Sequence, residues 1–102
     1  MARVIVSKEA RKDLVNIRSY IRDELCKPSA AQRIIGELKK SVLSLGEFPA
    51  MGRPLDALIP VHTDYRYLAC ENYCIFYLTG EAEVLVVRIL HQRQDCIRAL
   101  LF

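Results

Sequence analysis

The 102-residue sequence has no lysine after Lys40 and no apolar run long enough to cross a membrane. A membrane-spanning helix needs about 20 apolar residues, whereas the apolar run between Glu83 and Arg88 has four residues and the run over residues 73–78 has six. The apolar part of the N-terminus, residues 4–6, is too short for the hydrophobic region of a signal peptide. Repeats, low-complexity tracts and linkers are also absent. These absences predict one cytoplasmic domain over residues 1–102 that contacts no membrane.

Cysteines are few and scattered, with only Cys70 and Cys74 close in sequence. If both lie on one strand, they are about 13 Å apart, which is too far for a disulfide or a shared zinc ion. The sequence therefore predicts reduced cysteines that fill small apolar spaces. We expect no metal and no other cofactor.

The charge that is present is uneven along the chain. Residues 1–53 carry eleven basic and six acidic residues, whereas residues 54–102 carry four basic and six acidic residues, and together they give the net charge of +3. The basic half suits an acidic partner, either nucleic acid or an acidic protein segment. Solvated helix faces account for most of this excess.

Hydrophobic periodicity predicts two helices. Apolar residues recur at intervals of three and four over residues 10–25 and again over residues 34–45, and each set forms one helical stripe. Ser29 and Gln32 have the spacing of a capping box at the start of the second helix, and Gly46 is expected to end it. Because only about four residues join the two helices, they are expected to form an antiparallel hairpin.

Four strands are predicted from runs of β-branched and aromatic residues. They span residues 3–6, 64–69, 73–78 and 83–90. Short turn-rich connections join the last three strands into an antiparallel meander. A loop is expected over residues 48–54, and a short C-terminal helix from about Cys96 to Leu101. The predicted fold class is α+β in the order β-α-α-β-β-β, with the helical hairpin on one face of a mainly antiparallel four-stranded sheet.

The last predicted strand is apolar on both sides. Strict alternation puts Leu85, Val87 and Ile89 on one side with His91, and Val84, Val86, Arg88 and Leu90 on the other. Because both helices are expected to cover the same face of the sheet, its other face is left to solvent, a partner or a ligand. Exposed apolar area of this kind usually marks a protein interaction.

This strand runs directly into a polar cluster that brings His91, Arg93 and Asp95 close together. An imidazole can transfer a proton, a guanidinium can bind a phosphate and a carboxylate can orient a neighbouring group. The alternative is that any strand leaving the core ends in polar residues. The cluster taken alone favours that alternative.

Four segments of the chain resemble, in order, the signatures of the RelE/ParE toxin superfamily. They are Met51-Gly52-Arg53-Pro54, Tyr65-Arg66-Tyr67-Leu68, Asn72 to Tyr77, and Arg88 to Asp95. The helical hairpin before them fits the same fold order, so the resemblance covers essentially the whole chain. It implies a toxin of a type II toxin–antitoxin module, neutralised by a cognate antitoxin that lays an extended or helical segment along the toxin.

The resemblance implies two diverging activities. RelE-like members cut mRNA in the ribosomal A site, and ParE-like members poison DNA gyrase without being nucleases. Metal-free RNA cleavage needs a base for the 2′-hydroxyl, cations for the phosphate and an acid for the leaving oxygen. The candidates are His91 as base or acid with Arg66 and Arg93 as catalytic partners, and Arg53, Arg88 and Asp95 as phosphate- or target-binding residues. Arg88 is the weakest of them because it sits inside the strand.

Some residues depart from the RelE-like pattern. Cys96 stands where RelE-like relatives often have a tyrosine, and the C-terminal half has none of the lysines on which their sites depend. Arg66 and Arg88 also have a structural explanation, which is pairing with Asp64 or Glu83 across the meander. The sequence leaves three functions open: ribosome-dependent mRNA cleavage, which it slightly favours, gyrase inhibition, and a non-toxic protein-binding module.

Overall fold

Two helices pack on one face of a five-stranded sheet in the computed structural model, which describes residues 1–92. The strands are β1 (Arg3–Val6), β2 (Arg53–Pro54), β3 (Arg66–Cys70), β4 (Tyr73–Thr79) and β5 (Glu83–His91). The helices are α1 (Lys8–Ser19), which continues as a π-helix over Tyr20–Glu24, and α2 (Pro28–Glu47). The predicted α+β class, helical pair and meander are confirmed. The predicted C-terminal helix lies outside the described residues.

Strand order across the sheet is β1-β5-β4-β3-β2, with β1 parallel to β5 and every other pair antiparallel. The sequence predicts four strands, and the structure adds a fifth, β2, inside the predicted loop. β2 has only two residues, which pair with Tyr67 and Arg66 of β3. So short a strand, ending in a proline, has no periodicity from which to predict it.

The helix ends differ from the predicted ones in two places. α2 begins at Pro28, and its N-cap, Lys27, makes no side-chain capping hydrogen bond. The predicted capping box is therefore wrong, because proline at the first helical position needs no partner for an amide hydrogen. Gly46 does not end α2, which continues to Glu47, but lies buried within it. Glycine fits there because a Cβ would be only 2.9 Å from the carbonyl oxygen of Ala2. No helix within residues 1–92 has the length and hydropathy to span a membrane.

A bulge in β5 changes which of its residues face the helices. Val86 pairs with Tyr77 and Arg88 pairs with the preceding residue of β4, so Val87 is an extra residue in the ladder. As a result Val86 and Ile89 both lie in the core between sheet and helices, although strict alternation predicts opposite sides. That prediction was wrong because alternation assumes an unbroken ladder.

The second face of the sheet is covered by the chain itself. A 3₁₀ turn at Leu55–Ala57 and the loop after it return over this face. A second buried cluster there consists of Leu55, Ile59, Phe76 and Leu90, with Tyr65, Tyr67, Cys74 and Val87 packed against it. The predicted uncovered apolar face is therefore wrong at this cluster. The loop was not predicted to pack because its apolar residues follow no strand or helix period.

Cys70 and Cys74 lie on neighbouring strands, and not on one strand as the spacing argument assumed. Cys70 ends β3 and packs against the inner core, whereas Cys74 belongs to β4 and packs against the outer cluster. In the part of the chain that the structure describes, Cys26 and Cys70 are free thiols. Residues 1–92 contain no group of three or more histidine, cysteine, aspartate or glutamate side chains that could hold a metal ion.

Candidate functional site

Asp13 of α1 holds the final part of β5 beyond the end of β1. Ser7 caps α1 by accepting a hydrogen bond from the amide of Ala10, and its hydroxyl donates to the carbonyl of Val87, so α1 starts against β5. Nearly two turns later the Asp13 carboxylate accepts hydrogen bonds from Arg88 Nε at 2.8 Å and Arg88 Nη2 at 3.0 Å. It also accepts from the amide of Ile89 at 3.0 Å. The carboxylate thus replaces a neighbouring strand.

The Asp13–Arg88 pair is partly buried, with side-chain exposures of 11% and 29%. The hydrogen bond from Arg88 to Asp13 raises the pKa of the guanidinium, which therefore stays charged and paired. Pairing of Arg88 with Asp64 or Glu83 is thus a wrong prediction, since Glu83 instead lies 4.0 Å from Arg3. The pairing of Asp13 with Arg88 could not be predicted from local sequence patterns, because the two residues are 75 positions apart in the chain.

A cleft of about 540 Å³ opens between α1 and the end of β5. The polar and aromatic side chains around it are those of Asp13, Asn16, Tyr20, Tyr73, Arg88 and His91. His91 pairs with Tyr73 across the ladder, and their rings meet edge to face with centroids 5.3 Å apart. The strand end that the sequence singles out therefore forms one wall of a real concavity.

Tyr20 reaches the cleft at the start of the π-helix. The wider turn is visible in the hydrogen bond from the amide of Leu25 to the carbonyl of Tyr20, at 3.1 Å. Tyr20 is 53% exposed, whereas Tyr73 is 7% exposed. Two tyrosines thus supply aromatic surface that the sequence analysis sought only at position 96. Tyr73 belongs to a segment that the family resemblance includes, whereas Tyr20 was missed because the apolar spacing does not show which side of α1 borders the cleft.

Burial, followed by the proximity of Tyr20, raises the pKa of Tyr73 above its ordinary value. Because the unfolded chain ionises at about pH 10 while the folded chain keeps this phenol neutral, stability is expected to fall as the pH rises past that value. The Tyr73→Phe variant should lose less stability between about pH 8 and pH 10.5 in urea unfolding. Equal losses in both proteins would contradict this assignment.

Arg66 lies elsewhere, where it holds the loop before β2. Its Nη2 donates to the carbonyl of Gly52 at 2.6 Å and to that of Ala50 at 3.2 Å. The Tyr77 hydroxyl accepts from the amide of Gly52 at 2.9 Å and donates to the carbonyl of Pro49 at 2.8 Å. Together these bonds fasten residues 49–52 onto the sheet.

The structure does not bring His91 and Arg66 together. His91 is in register with Tyr73, and Arg66 with Tyr77. Tyr73 and Tyr77 are four residues apart on β4, so His91 and Arg66 are offset by about 13 Å along the strands. They are also on β5 and β3, which lie on opposite sides of β4 and about 9.6 Å from each other. Arg53 is exposed on β2, beside the loop that Arg66 holds.

Arg93 and Asp95 lie outside the described residues, and their proposed roles stay predictions. The described part of the site is therefore split in two. His91 and Arg88 line the cleft at the end of β5, whereas Arg53 and Arg66 belong to the far edge of the sheet.

The family assignment agrees with this fold. Residues 4–96 match the family model described as the ParE toxin of the type II toxin-antitoxin system parDE. The chain belongs to the ParE toxin family. This ParE family member is 37% identical to Toxin ParE1 of Mycobacterium tuberculosis over 71 aligned residues, and the alignment covers 69% of each chain. It is 35% identical over 91 residues to Toxin RelE2 of Caulobacter vibrioides, which covers 89% of this chain and 96% of the relative.

Solved structures share the ParE family fold at lower identity. A chain described as the chromosomal ParDE TA system from P. aeruginosa superposes with a TM-score of 0.73 at 19% identity, over 89% of this chain and 96% of that one. A mutant of YafQ from E. coli gives a TM-score of 0.51 at 15% identity, over 90% and 94% of the two chains. The family model and the two relatives confirm the predicted membership of the RelE/ParE superfamily, and the chain is a toxin of a type II toxin–antitoxin system.

Proposed function

We propose that this toxin inhibits growth by binding DNA gyrase, that it does so without cutting mRNA, and that a cognate antitoxin neutralises it. The observation that carries the proposal is the separation of the candidate catalytic groups. General acid–base cleavage needs the proton-transferring group and the phosphate-binding cations within hydrogen-bond reach of one phosphate. His91 and Arg66 occupy different ends of the sheet, and Arg88 is committed to Asp13.

The cleft suits a protein target better than a phosphate. Among the described residues that line it, the charges of Asp13 and Arg88 offset each other, so this pair does not attract an anion. Its exposed aromatic, Tyr20, is of the residue type that most often anchors protein interfaces. In this proposal Tyr20, Tyr73 and His91 receive a side chain of the gyrase surface.

The arginines on the other side of the sheet take a different role in the proposal. Arg53 is exposed and contacts an acidic part of the target, whereas Arg66 positions the loop that presents Arg53. The proposed roles of Arg93 and Asp95 as target contacts rest on the family resemblance alone.

Ribosome-dependent mRNA cleavage is the second candidate, favoured by one observation. His91 stands at a cleft with two tyrosines, and a tyrosine ring can stack on an unpaired base. In this alternative His91 transfers the proton, the ribosome and mRNA are the partners, and Arg93 holds the phosphate, while Arg53 at the far edge of the sheet contacts another part of the RNA. The third candidate, a non-toxic binding module, uses the same cleft without an effect on growth.

Inducing the chain alone separates these functions. DNA synthesis should stop while incorporation of labelled amino acids continues, and the purified chain should inhibit supercoiling by purified gyrase. Early loss of translation with mRNA cut in the A site, abolished by His91→Ala, would overturn the gyrase proposal. Normal growth with abundant folded protein would favour the non-toxic module.

Two matched variants test the cleft in the same assays. Tyr20→Ala should weaken gyrase inhibition by roughly tenfold or more, as expected for an aromatic anchor. Val15→Ala is the control, because Val15 is similarly exposed at 54% on the same helix but does not line the cleft. Equal activity of the two variants would remove the cleft from the proposal.

A further inference from the structure

We propose that the toxin itself binds duplex DNA, through a basic surface on the side of α1 that faces away from the sheet. Four exposed cations form this surface: Lys8, Arg11, Lys12 and Arg18. At about 100° per residue they fall within one arc of about 120° around the helix axis, which we call the basic face of α1. The buried Ala10 lies on the other side of the helix, so the basic face is directed to solvent.

The charges of the basic face are not neutralised within the described part of the protein. Among residues 1–92, none of its four cations forms an ion pair. The acidic residues of α1 serve another group, because Asp13 accepts hydrogen bonds from Arg88 and Glu9 acts electrostatically on the same guanidinium. On α2, Lys39 adds positive charge beside the face, since it borders the same groove as Arg11. All charges on the face itself are therefore positive.

This arrangement lowers the stability of α1. Lys8 is four positions from Lys12 and three from Arg11, and at these spacings like charges repel each other across one helical turn. Lys8 is also the first residue of α1, at the end where the helix dipole is already positive. Because a bound polyanion would relieve both repulsions, the face suits a ligand with closely spaced negative charges.

Duplex DNA meets this requirement better than other polyanions. From Lys8 to Arg18 the face is about 15 Å long, and over that length duplex DNA carries about nine phosphates. The face has no aromatic side chain on which the bases of a single strand could stack. Its one apolar residue, Val15, is too little for the apolar core of a protein interface. Because contacts to phosphates carry no sequence information, binding should not depend on the base sequence.

The basic face is separate from the cleft. On α1 the cleft is lined by Asp13, Asn16 and Ile17, and none of these residues belongs to the basic face. A toxin bound to DNA therefore keeps its cleft free for a protein. If gyrase is the target, the DNA contact would hold the toxin on the substrate of gyrase, and only this last step rests on the proposed function.

Fluorescence anisotropy with the full chain tests the surface directly. A labelled duplex DNA of about 20 base pairs should bind with a Kd in the micromolar range at about 50 mM salt, and a duplex of scrambled sequence should bind equally well. The logarithm of the association constant should fall with the logarithm of the salt concentration at a slope of about −3.6, as expected for four phosphate contacts. Tighter binding of single-stranded RNA or of polyglutamate at equal charge concentration would overturn the proposal, as would a slope near zero.

Removing two of the four cations should weaken binding and reduce its salt dependence together. Arg11→Gln with Arg18→Gln should lower the affinity at about 50 mM salt by about tenfold or more and make the slope shallower by about 1.8, since two phosphate contacts are lost. Lys8→Gln with Lys12→Gln should have the same effect. If circular dichroism shows that one pair perturbs folding, the other pair supplies the measurement.

Arg22→Gln with Arg33→Gln is the matched control. It makes the same charge change at two exposed arginines that already have carboxylate partners, Asp23 for Arg22 and Glu71 for Arg33. Because these charges are offset, binding should weaken by less than about threefold and the slope should change by less than about 0.5. Equal losses in the control pair and the basic-face pairs would indicate a response to net charge alone and would overturn the proposal. None of these measurements uses gyrase, so failure of the gyrase assays and failure of DNA binding are separate results.

Discussion

The Gly52→Ala substitution is expected to lower the free energy of unfolding by about 3 kcal/mol. A Cβ at this position would lie 2.5 Å from the carbonyl oxygen of Tyr67 and 2.6 Å from the hydroxyl of Tyr77. Neither atom can move freely, because the first belongs to a paired strand and the second is hydrogen-bonded to Gly52 and Pro49. The methyl group would therefore push the loop off the sheet.

Gly36→Ala is the control for this prediction. Gly36 lies on the exposed side of α2, and a Cβ there meets nothing within 4 Å. Because alanine is the better helix former, this variant should be more stable by about 1 kcal/mol. Urea denaturation of both variants measures the contrast. A loss below about 1 kcal/mol for Gly52→Ala would show that the contacts of residues 49–52 add little to stability.

Asp13→Ala is expected to be the second most damaging of the changes considered, with a loss of about 2 kcal/mol. It leaves the Arg88 guanidinium and the amide of Ile89 without their acceptor in a partly buried place. The value is at the low end for a buried charge because Arg88 keeps 29% of its side-chain surface in contact with solvent. Urea denaturation measures it.

The chain contains a matched aspartate that differs in burial. Asp23 accepts two hydrogen bonds from the neighbouring Arg22, at 2.8 and 2.9 Å, in the same two-pronged arrangement, but both side chains are exposed. Asp23→Ala should leave the free energy of unfolding unchanged within error, since solvent screens exposed pairs. Similar losses at the two positions would mean that burial does not govern the Asp13 pair.

Loss of Asp13 should also be visible in function. The carboxylate holds β5 beyond the end of β1, on the side away from β4, and β5 forms a wall of the cleft. If the cleft binds the target, Asp13→Ala should reduce growth inhibition at temperatures where the variant remains folded, and Asp23→Ala should not.

Parts of the candidate site were within reach of sequence reasoning and parts were not. The polar end of β5 was found because an apolar strand runs directly into His91, and that residue does line a cleft. Tyr20 was missed because the apolar spacing does not show which side of α1 borders the cleft, although Tyr20 shares that side with Asp13 and Asn16 at ordinary helical spacing. Arg66 was grouped with His91 by family resemblance, although one residue belongs to β3 and the other to the end of β5.

By itself the sequence determined the helices, the meander and the family, because these follow from short-range periodicity and from motifs in order along the chain. The tertiary structure alone decided which groups meet. Asp13 reaches Arg88 across 75 positions, a single extra residue at Val87 reverses which side chains of β5 face the core, and Tyr77 fastens a loop 25 residues before it. Such contacts depend on register and packing between distant segments, which local patterns do not encode.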